Sequence, residues 1–227
     1  MAERPYHACM TVKLKIDFVS DVACPWCAVG LASLEKALAR LAGDVEADLH
    51  FQPFQLNPQM GPEGQDIVEH IAQKYGASPE QQAANWQALR QRAAAVGFDF
   101  REEGRGRTWN TFDCHRLLHW ASEQGPDYQR ALKLALLQAY FTRGENPSAH
   151  DVLLRAAQAS GLDVERARAI LASDEYTSQV RERQRFYTQA GISAVPSVII
   201  NDQHLIQGGQ PPEVFEQALR QIAAQAA

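Results

Sequence analysis

The sequence predicts an α/β fold in which a β-α-β block and a β-β-α block flank a large all-helical insertion. Strand-like apolar runs occur before position 60 and after position 190. Between them, almost every segment has the helical period, with capping and breaking residues in between. We therefore predict a mixed sheet with helices on both faces. The predicted parts are an N-terminal half over residues 12–60, a helical insertion domain over 61–187 and a C-terminal half over 188–227.

The first block contains a predicted strand, helix and second strand. Residues 14–20 are a predicted strand, in which Leu14, Ile16 and Phe18 alternate with residues 15, 17 and 19. Leucines at positions 31, 34, 38 and 41 recur at helical spacing, and Gly43 is a suitable helix end. Residues 45–54 alternate again, and Pro53 indicates an edge strand or the end of the strand.

The middle of the chain is predicted to be helical from about residue 66 to residue 187. Ser78 followed by Pro79 is typical of a helix start. Further helices are predicted over residues 111–124, 127–141, 149–160, 163–172 and 174–189. Residues 104–109, with two glycines, are predicted to form a loop.

The last block returns to strands. The apolar residues 198–200 lie in a predicted strand over 197–201, and residues 204–207 follow a turn as its hairpin partner. Gly208 and Gly209 break the chain before a predicted terminal helix over residues 211–222, which carries one apolar face.

The composition is that of a soluble globular protein, with 45% hydrophobic and 22% charged residues. A net charge of -5 argues against nucleic acid or an anionic membrane as the main partner. No apolar stretch approaches the ~18 residues of a membrane span, and residues 1–15 lack the apolar core of a secretory signal. We predict a cytoplasmic monomer or homodimer, with Met1 or Met10 as the native start.

Two of the four cysteines form the motif Cys24-Pro25-Trp26-Cys27 at the junction of the first strand and helix. Free N–H groups and the helix dipole favour a thiolate at Cys24. Cys27 lies one turn further on, where it can close a disulfide. The motif thus predicts thiol–disulfide exchange, in which Cys24 attacks and Cys27 resolves the mixed disulfide. The alternative is a buried, inert pair.

The other two cysteines, Cys9 and Cys114, add no second tight pair. Structural zinc commonly needs two paired clusters of ligands, so no metal is expected. Cys114 is interpreted as a small apolar filler of a helix, with a regulatory thiol as the alternative.

Val195 and Pro196 stand where a helix gives way to the next strand. Cis X–Pro bonds make up only about 5% of such bonds in folded proteins, and a trans proline at a strand start is the simpler interpretation. A cis bond would instead present the Val195 backbone to a docked peptide as an additional strand.

Five stretches resemble the DsbA family of the thioredoxin superfamily, and in particular its FrnE-like subgroup. They are residues 21–27, 53–58, 110–116, 139–141 and 191–197, and the likeness runs from about residue 14 to residue 222. The chain is also similar to 2-hydroxychromene-2-carboxylate isomerases. The resemblance implies a thioredoxin fold, a disulfide oxidoreductase or isomerase, Cys24 as nucleophile and a cis Pro196. Cys114 stands where a small residue such as alanine is expected.

The resemblance also places the helix of residues 110–116 near the active cleft. Pro25, Trp26 and Val195 are expected to contact the substrate. His115 is either a base that polarises a bound thiol or a structural residue, and Asn110 is either a substrate contact or a helix cap.

Gly209 and Gln210 precede a helix whose start can bind a carboxylate, as the corresponding corner does in glutathione-using relatives. The alternative is a turn that leads into the last helix.

The sequence therefore predicts a thiol–disulfide oxidoreductase or isomerase that acts on protein or small-molecule disulfides. It needs no bound cofactor, and glutathione is a possible redox partner or cosubstrate. One alternative is a glutathione-dependent isomerase or transferase, although such relatives typically carry serine in place of Cys24. The other is a non-catalytic, peptide-binding or chaperone-like protein.

Overall fold

The computed structural model describes residues 11–226, so Met1, Cys9 and Met10, and the choice of start site, lie outside the described residues. The strands are β1 (Val12–Ser20), β2 (Val45–Pro53), β3 (Gln65–Asp66), β4 (Arg107–Thr108), β5 (Ser197–Ile200) and β6 (His204–Gln207). The helices are α1 (Pro25–Arg40), α2 (Ile67–Tyr75), α3 (Pro79–Ala95), α4 (Phe112–Gln124), α5 (Pro126–Leu137), α6 (His150–Ala159), α7 (Val164–Leu171), α8 (Thr177–Gln189) and α9 (Pro212–Ala226).

Within residues 11–226, the main sheet has four strands in the order β2-β1-β5-β6. β1 pairs in parallel with β2, where Phe18 lies opposite Phe51, because α1 carries the chain across the sheet between them. On its other side β1 pairs antiparallel with β5, where Phe18 lies opposite Val198. The hairpin of β5 and β6 completes the sheet. The predicted α/β fold, with its β-α-β and β-β-α blocks, is confirmed.

The alternation in β1 gives the sheet two different faces. Leu14, Ile16 and Phe18 are fully buried and share one core with α1 and α9. Val19 points the other way, into a smaller cluster with Tyr187 of α8. Helices therefore cover both faces, as the sequence predicted.

The insertion has a core of its own. Buried side chains of α4, α5, α6 and α7 pack together around Leu117, Leu132 and Leu153. Its α3 and the turn that follows α5 also reach the sheet, because Leu89, Tyr140 and Phe141 belong to the main core. The predicted part boundaries at residues 61 and 188 stay a prediction.

Two local features differ from the sequence-based assignment. Residues 104–109, predicted as a loop, include β4, which pairs antiparallel with β3. Strands of two residues are too short to leave a period in the sequence. In addition, α5 continues into a π-helical turn, Gln138–Thr142, where Tyr140 donates a hydrogen bond to the carbonyl of Arg107 at 2.7 Å.

One side chain occupies the free edge of β2. The Gln129 amide oxygen accepts from the Phe51 N–H at 3.0 Å, and its amide nitrogen donates to the Phe51 carbonyl at 3.0 Å and to Leu118 at 3.2 Å. Gln129 is buried and belongs to α5, so it fixes the insertion to the sheet. It replaces the partner that a neighbouring strand would supply.

We expect Gln129→Ala to lower the free energy of unfolding by about 3 kcal/mol, because each buried backbone group left without a partner costs about 1–3 kcal/mol. Denaturant unfolding measures the difference. Gln158→Ala, at an exposed position of α6, is the control and should change stability by less than about 0.5 kcal/mol. Equal effects of the two substitutions would contradict the role assigned to Gln129.

Candidate active site

The dithiol lies at the junction between β1 and α1. Cys24 is the residue before the first turn of α1, its backbone is extended, and Pro25 occupies the first helical position. The Cys24 N–H donates to the Asp21 carbonyl at 3.2 Å, and the Cys27 N–H donates to the Cys24 carbonyl at 3.1 Å. Both cysteines are free thiols, and they are 4% and 0% exposed.

The pKa of Cys24 is lowered from that of an ordinary thiol. The largest cause is the hydrogen bond that the Cys27 side chain donates to the Cys24 sulfur. The N–H groups of Cys27 and Trp26 add to it, while burial and the Asp21 carboxylate act in the opposite direction. The Cys27 side chain and the N–H groups at the start of α1 therefore both favour the anion.

Cys27 has the opposite character. Burial raises the pKa of its thiol well above the usual value, and the neighbouring Cys24 raises it further. The charge of Lys133 lowers the pKa by a smaller amount. The pKa values of the two thiols are thus shifted in opposite directions. This arrangement suits sequential attack and resolution.

The second half of the fold approaches Cys24 through Val195. The Cys24 sulfur lies 3.6 Å from the Val195 carbonyl oxygen, and the peptide bond between Val195 and Pro196 is cis. Gly30 of α1 permits this approach, because a Cβ at that position would come within 3.0 Å of the Pro196 ring. Sequence reasoning missed Gly30, since a glycine inside a helical pattern has no periodic signature.

Cys24, Pro25 and Trp26 line a cavity of about 1000 Å³, the front cleft. Residues 193–195 form one part of its wall, while α2, α3 and residues 102–106 form much of the rest. Trp86 and Tyr75 supply aromatic surface, and basic and acidic side chains are both present. The front cleft therefore has room for a peptide segment or a small polar molecule beside the Cys24 sulfur.

Arg105 links the insertion to the dithiol loop. It donates to the Ala23 carbonyl at 3.4 Å, and its guanidinium lies 5.8 Å from the centre of the Trp86 ring. Similarly, the Arg92 guanidinium lies 5.3 Å from the centre of the Trp26 ring. These contacts bring the insertion against the side of the cleft that carries the motif.

The predicted site residues fall into two groups. Pro25, Trp26 and Val195 line the front cleft together with Cys24. The lining does not include Cys27, Pro196, Asn110, His115, Gly209 or Gln210. Cys27 and Pro196 lie directly behind it, one hydrogen-bonded to Cys24 and the other following Val195.

The remaining four predicted residues have structural contacts. The Asn110 side chain accepts from the Phe112 N–H at 2.9 Å and donates to the Met60 carbonyl at 2.7 Å. Gly209 packs so closely on Trp26 that a Cβ would come within 3.0 Å of its ring. The Gln210 side chain donates to the Gln207 carbonyl at 2.8 Å. Their predicted substrate contacts stay predictions.

His115 is buried and lies 3.3 Å from the Asp21 carboxylate. Burial raises the pKa of Asp21, but the hydrogen bond and charge of His115 outweigh this, and the pKa is lowered overall. The Asp21 carboxylate also accepts from the N–H groups of Leu56 at 2.8 Å and Ala23 at 3.3 Å. This pair therefore fixes the loop that carries Cys24, and the geometry favours the structural interpretation of His115.

Lys133 is the buried charge that sequence reasoning missed. It is 1% exposed and lies on the buried stripe of α5, which consists of residues 129, 132, 133, 136 and 137. That helical spacing was the available signal, since it places a lysine on a hydrophobic face. Burial lowers the pKa of Lys133, and the electrostatic interaction with Cys27 is the largest of the effects that raise it.

Cys114 is buried in α4 and its thiol donates to the Pro147 carbonyl at 3.1 Å. Burial raises the pKa of this thiol far above the reactive range. These contacts favour the filler interpretation.

Within residues 11–226, no group of three or more His, Cys, Asp or Glu side chains is placed to hold a metal ion. In the same part of the chain, no helix is both long and apolar enough to cross a membrane.

Comparison with known proteins agrees with the fold described above. The model of the DSBA-like thioredoxin domain matches residues 15–220. The crystal structure of the probable DsbA oxidoreductase SCO1869 from Streptomyces coelicolor superimposes with a TM-score of 0.85 at 36% identity, covering 94% of this chain and 91% of that one.

Two more distant structures share the fold. A 2-hydroxychromene-2-carboxylate isomerase superimposes with a TM-score of 0.67 at 16% identity, covering 93% of this chain and 97% of that one. The cytosolic disulfide reductase DsbM from Pseudomonas aeruginosa with GSH gives a TM-score of 0.61 at 15% identity, covering 91% and 98%. The resemblance to the DsbA family and to the isomerases is thus confirmed for the fold.

We expect Cys27→Ala to move the midpoint of Cys24 alkylation to higher pH, toward the ~8.5 of free cysteine, because the hydrogen bond that stabilises the thiolate is lost. The rate of iodoacetamide modification between pH 4 and 9 measures the midpoint. Cys114→Ala is the matched control and should leave it unchanged. A midpoint that stays in place in Cys27→Ala would contradict the assigned origin of the low pKa.

We expect His115→Gln to lower the free energy of unfolding at pH 7 by about 3 kcal/mol, since it leaves a buried carboxylate without its partner. The folded-state pKa of Asp21 is lowered, so its contribution is complete above the unfolded-state pKa of about 3.9 and is lost as pH falls through the folded-state value. The difference between wild type and variant should therefore shrink below pH 4. His150→Gln, which removes an exposed partner of Asp113, is the control.

Proposed function

The chain belongs to the family of DsbA-like thioredoxin domains, whose enzymes are oxidoreductases and disulfide isomerases, and we propose that it carries out thiol–disulfide exchange through Cys24 and Cys27. The observation that carries this proposal is the position of Cys24, which lies directly before the first turn of α1, lines the front cleft and has its sulfur 3.6 Å from the Val195 carbonyl oxygen, with Cys27 one helical turn further on. The narrower FrnE-like assignment stays a prediction.

The reaction proceeds in two exchanges. The Cys24 thiolate attacks one sulfur of a substrate disulfide, forms a mixed disulfide and releases the first substrate thiolate. Cys27 then loses its proton and attacks the Cys24 sulfur, which releases the second substrate thiolate. The substrate gains two electrons and the dithiol is oxidised to the Cys24–Cys27 disulfide. The reverse sequence oxidises a substrate dithiol.

The geometry assigns a role to each half of the site. The Val195 carbonyl lies beside the attacking sulfur, where it accepts a hydrogen bond from an extended substrate segment, as in strand addition. Trp26 and Trp86 supply apolar surface next to it. Gly209 packs against the Trp26 ring. We propose disulfide-bonded peptide segments and small disulfides as substrates.

Glutathione is the small thiol that we propose for recycling. The distant relative DsbM is a disulfide reductase whose structure contains GSH. In this chain, Lys74, Arg90 and Arg105 line the front cleft and can neutralise the carboxylates of such a peptide. DsbM is cytosolic, which supports the same location here.

The low pKa of Cys24 also bears on the direction of exchange. A stabilised thiolate favours the reduced dithiol and so makes the disulfide a stronger oxidant. Whether the enzyme reduces or oxidises its substrates depends on this potential relative to that of the surrounding thiol pool, where ~30 mV corresponds to about 1.4 kcal/mol.

We expect wild type to accelerate the reduction of insulin by dithiothreitol and Cys24→Ser to lose this activity. Cys27→Ser should accumulate a mixed disulfide at Cys24, detected as a mass increase that a reductant removes, because the resolving thiol is absent. Cys114→Ser is the matched control and should retain the wild-type rate, since its thiol is buried and unreactive.

Unchanged insulin reduction in Cys24→Ser would contradict the proposal and favour a non-catalytic, peptide-binding protein. A glutathione-dependent double-bond isomerisation that survives in Cys27→Ser would favour the isomerase type of chemistry instead. Titration of the dithiol against glutathione buffers then gives the potential and with it the direction.

A further inference from the structure

A second cavity of about 150 Å³, the rear cavity, lies between β2, α4, α5 and α8. It shares no lining residue with the front cleft. Its volume accommodates a few water molecules or one small oxyanion. The thiol–disulfide chemistry described above assigns no role to this space.

The charged and titratable side chains that line the rear cavity are all basic, and no aspartate or glutamate is among them. They are His50, His115, His119, Lys133 and Arg183. The histidines have partners outside the cavity: His50 pairs with Asp48 at 3.0 Å, His115 with Asp21 at 3.3 Å, and His119 packs on the Tyr176 ring. Lys133 and Arg183 are the two lining side chains whose ordinary pKa lies well above neutral pH.

Lys133 has no hydrogen bond or ion pair with any residue in the described range 11–226, although it is 1% exposed. The acidic groups that act on its charge are Cys27, Asp21, Cys114 and Cys24, and Cys24, the smallest contributor of the four, lies at the front cleft. The Asp21 carboxylate is held by His115, Leu56 and Ala23, and Cys27 remains a protonated thiol. A buried ammonium requires a compensating anion or must give up its proton. The space next to it provides room for such an anion.

Arg183 supplies a second set of donors from α8. Its Nε donates to the Gln52 side chain at 3.2 Å and its Nη2 to the Tyr187 hydroxyl at 3.1 Å. These bonds orient the guanidinium at the cavity, and within residues 11–226 no acceptor is bound to Nη1. The Gln129 amide, by contrast, is committed to Phe51 and Leu118. Lys133 and Arg183 thus hold the donors that remain available to a ligand.

We propose that the rear cavity binds one small oxyanion, with Lys133 and Arg183 as its charged ligands. Phosphate, sulfate and short carboxylates share the required chemistry, namely a negative charge and several acceptor oxygens. An anion at this point removes the uncompensated charge from the core and links α5 to α8 beneath the dithiol loop. The competing state is a water-filled cavity beside a neutral lysine.

The test is isothermal titration calorimetry of the full chain with phosphate, sulfate or acetate at constant ionic strength, with chloride as the reference ion. We expect saturable binding of at least one oxyanion in wild type, its loss in Lys133→Met, and at least tenfold weaker binding in Arg183→Met. The matched controls are Lys36→Met and Arg185→Met, whose side chains are exposed. The controls should bind as wild type does.

Thermal unfolding gives a second measurement, because a ligand that binds only the folded state raises the melting temperature with its concentration. If Lys133→Met does not fold, Arg183→Met and its control still decide the outcome. The proposal is overturned if the melting temperature rises with ionic strength irrespective of the anion. It is also overturned if Lys133→Met and Arg183→Met both bind the oxyanion as wild type does. Repeating the titration in Cys24→Ser separates it from the redox function, since that variant lacks the proposed nucleophile but keeps the rear cavity.

Discussion

The interaction of the Cys27 thiol with the Cys24 sulfur, which is the largest cause of the lowered Cys24 pKa, is the one on which the site depends. It requires the two sulfurs to be one helical turn apart, with Cys24 still outside the helix and Cys27 inside it. β1 and Pro25 fix that boundary, and Gly30 lets α1 come close enough to Pro196 for Val195 to meet the same sulfur. The fold thus creates the reactivity difference between two chemically identical side chains.

The sequence predicted much of this arrangement. Hydrophobic period predicted β1, α1 and most helices of the insertion to within a few residues, because these elements are long and each buries one face. The two-residue strands β3 and β4 and the π-helical turn were missed because they leave no period. Their position is set by tertiary contacts, such as that of Tyr140 with the Arg107 carbonyl.

The sequence predicted those site residues that lie close together in the chain. It did not predict contacts between residues that come from distant segments. Spacing alone placed Cys24 and Cys27, since both belong to one turn. The contact of Asp21 with His115 joins residues 94 positions apart, and the charge of Lys133, on the insertion, lowers the pKa of Cys27. Helical spacing put Lys133 on a buried face, but only the packing of α5 against β2 shows which groups its charge affects.

The side chain of Gln129 has a further consequence for the sheet as a whole. By satisfying both backbone groups of Phe51, it occupies part of the β2 margin, and this limits hydrogen bonding there to an incoming polypeptide. The opposite margin is β6, where Leu205 is 50% exposed. If copies of this protein associate through intermolecular β-structure, the association should therefore be directional. New strands should be added at β6 and not at β2.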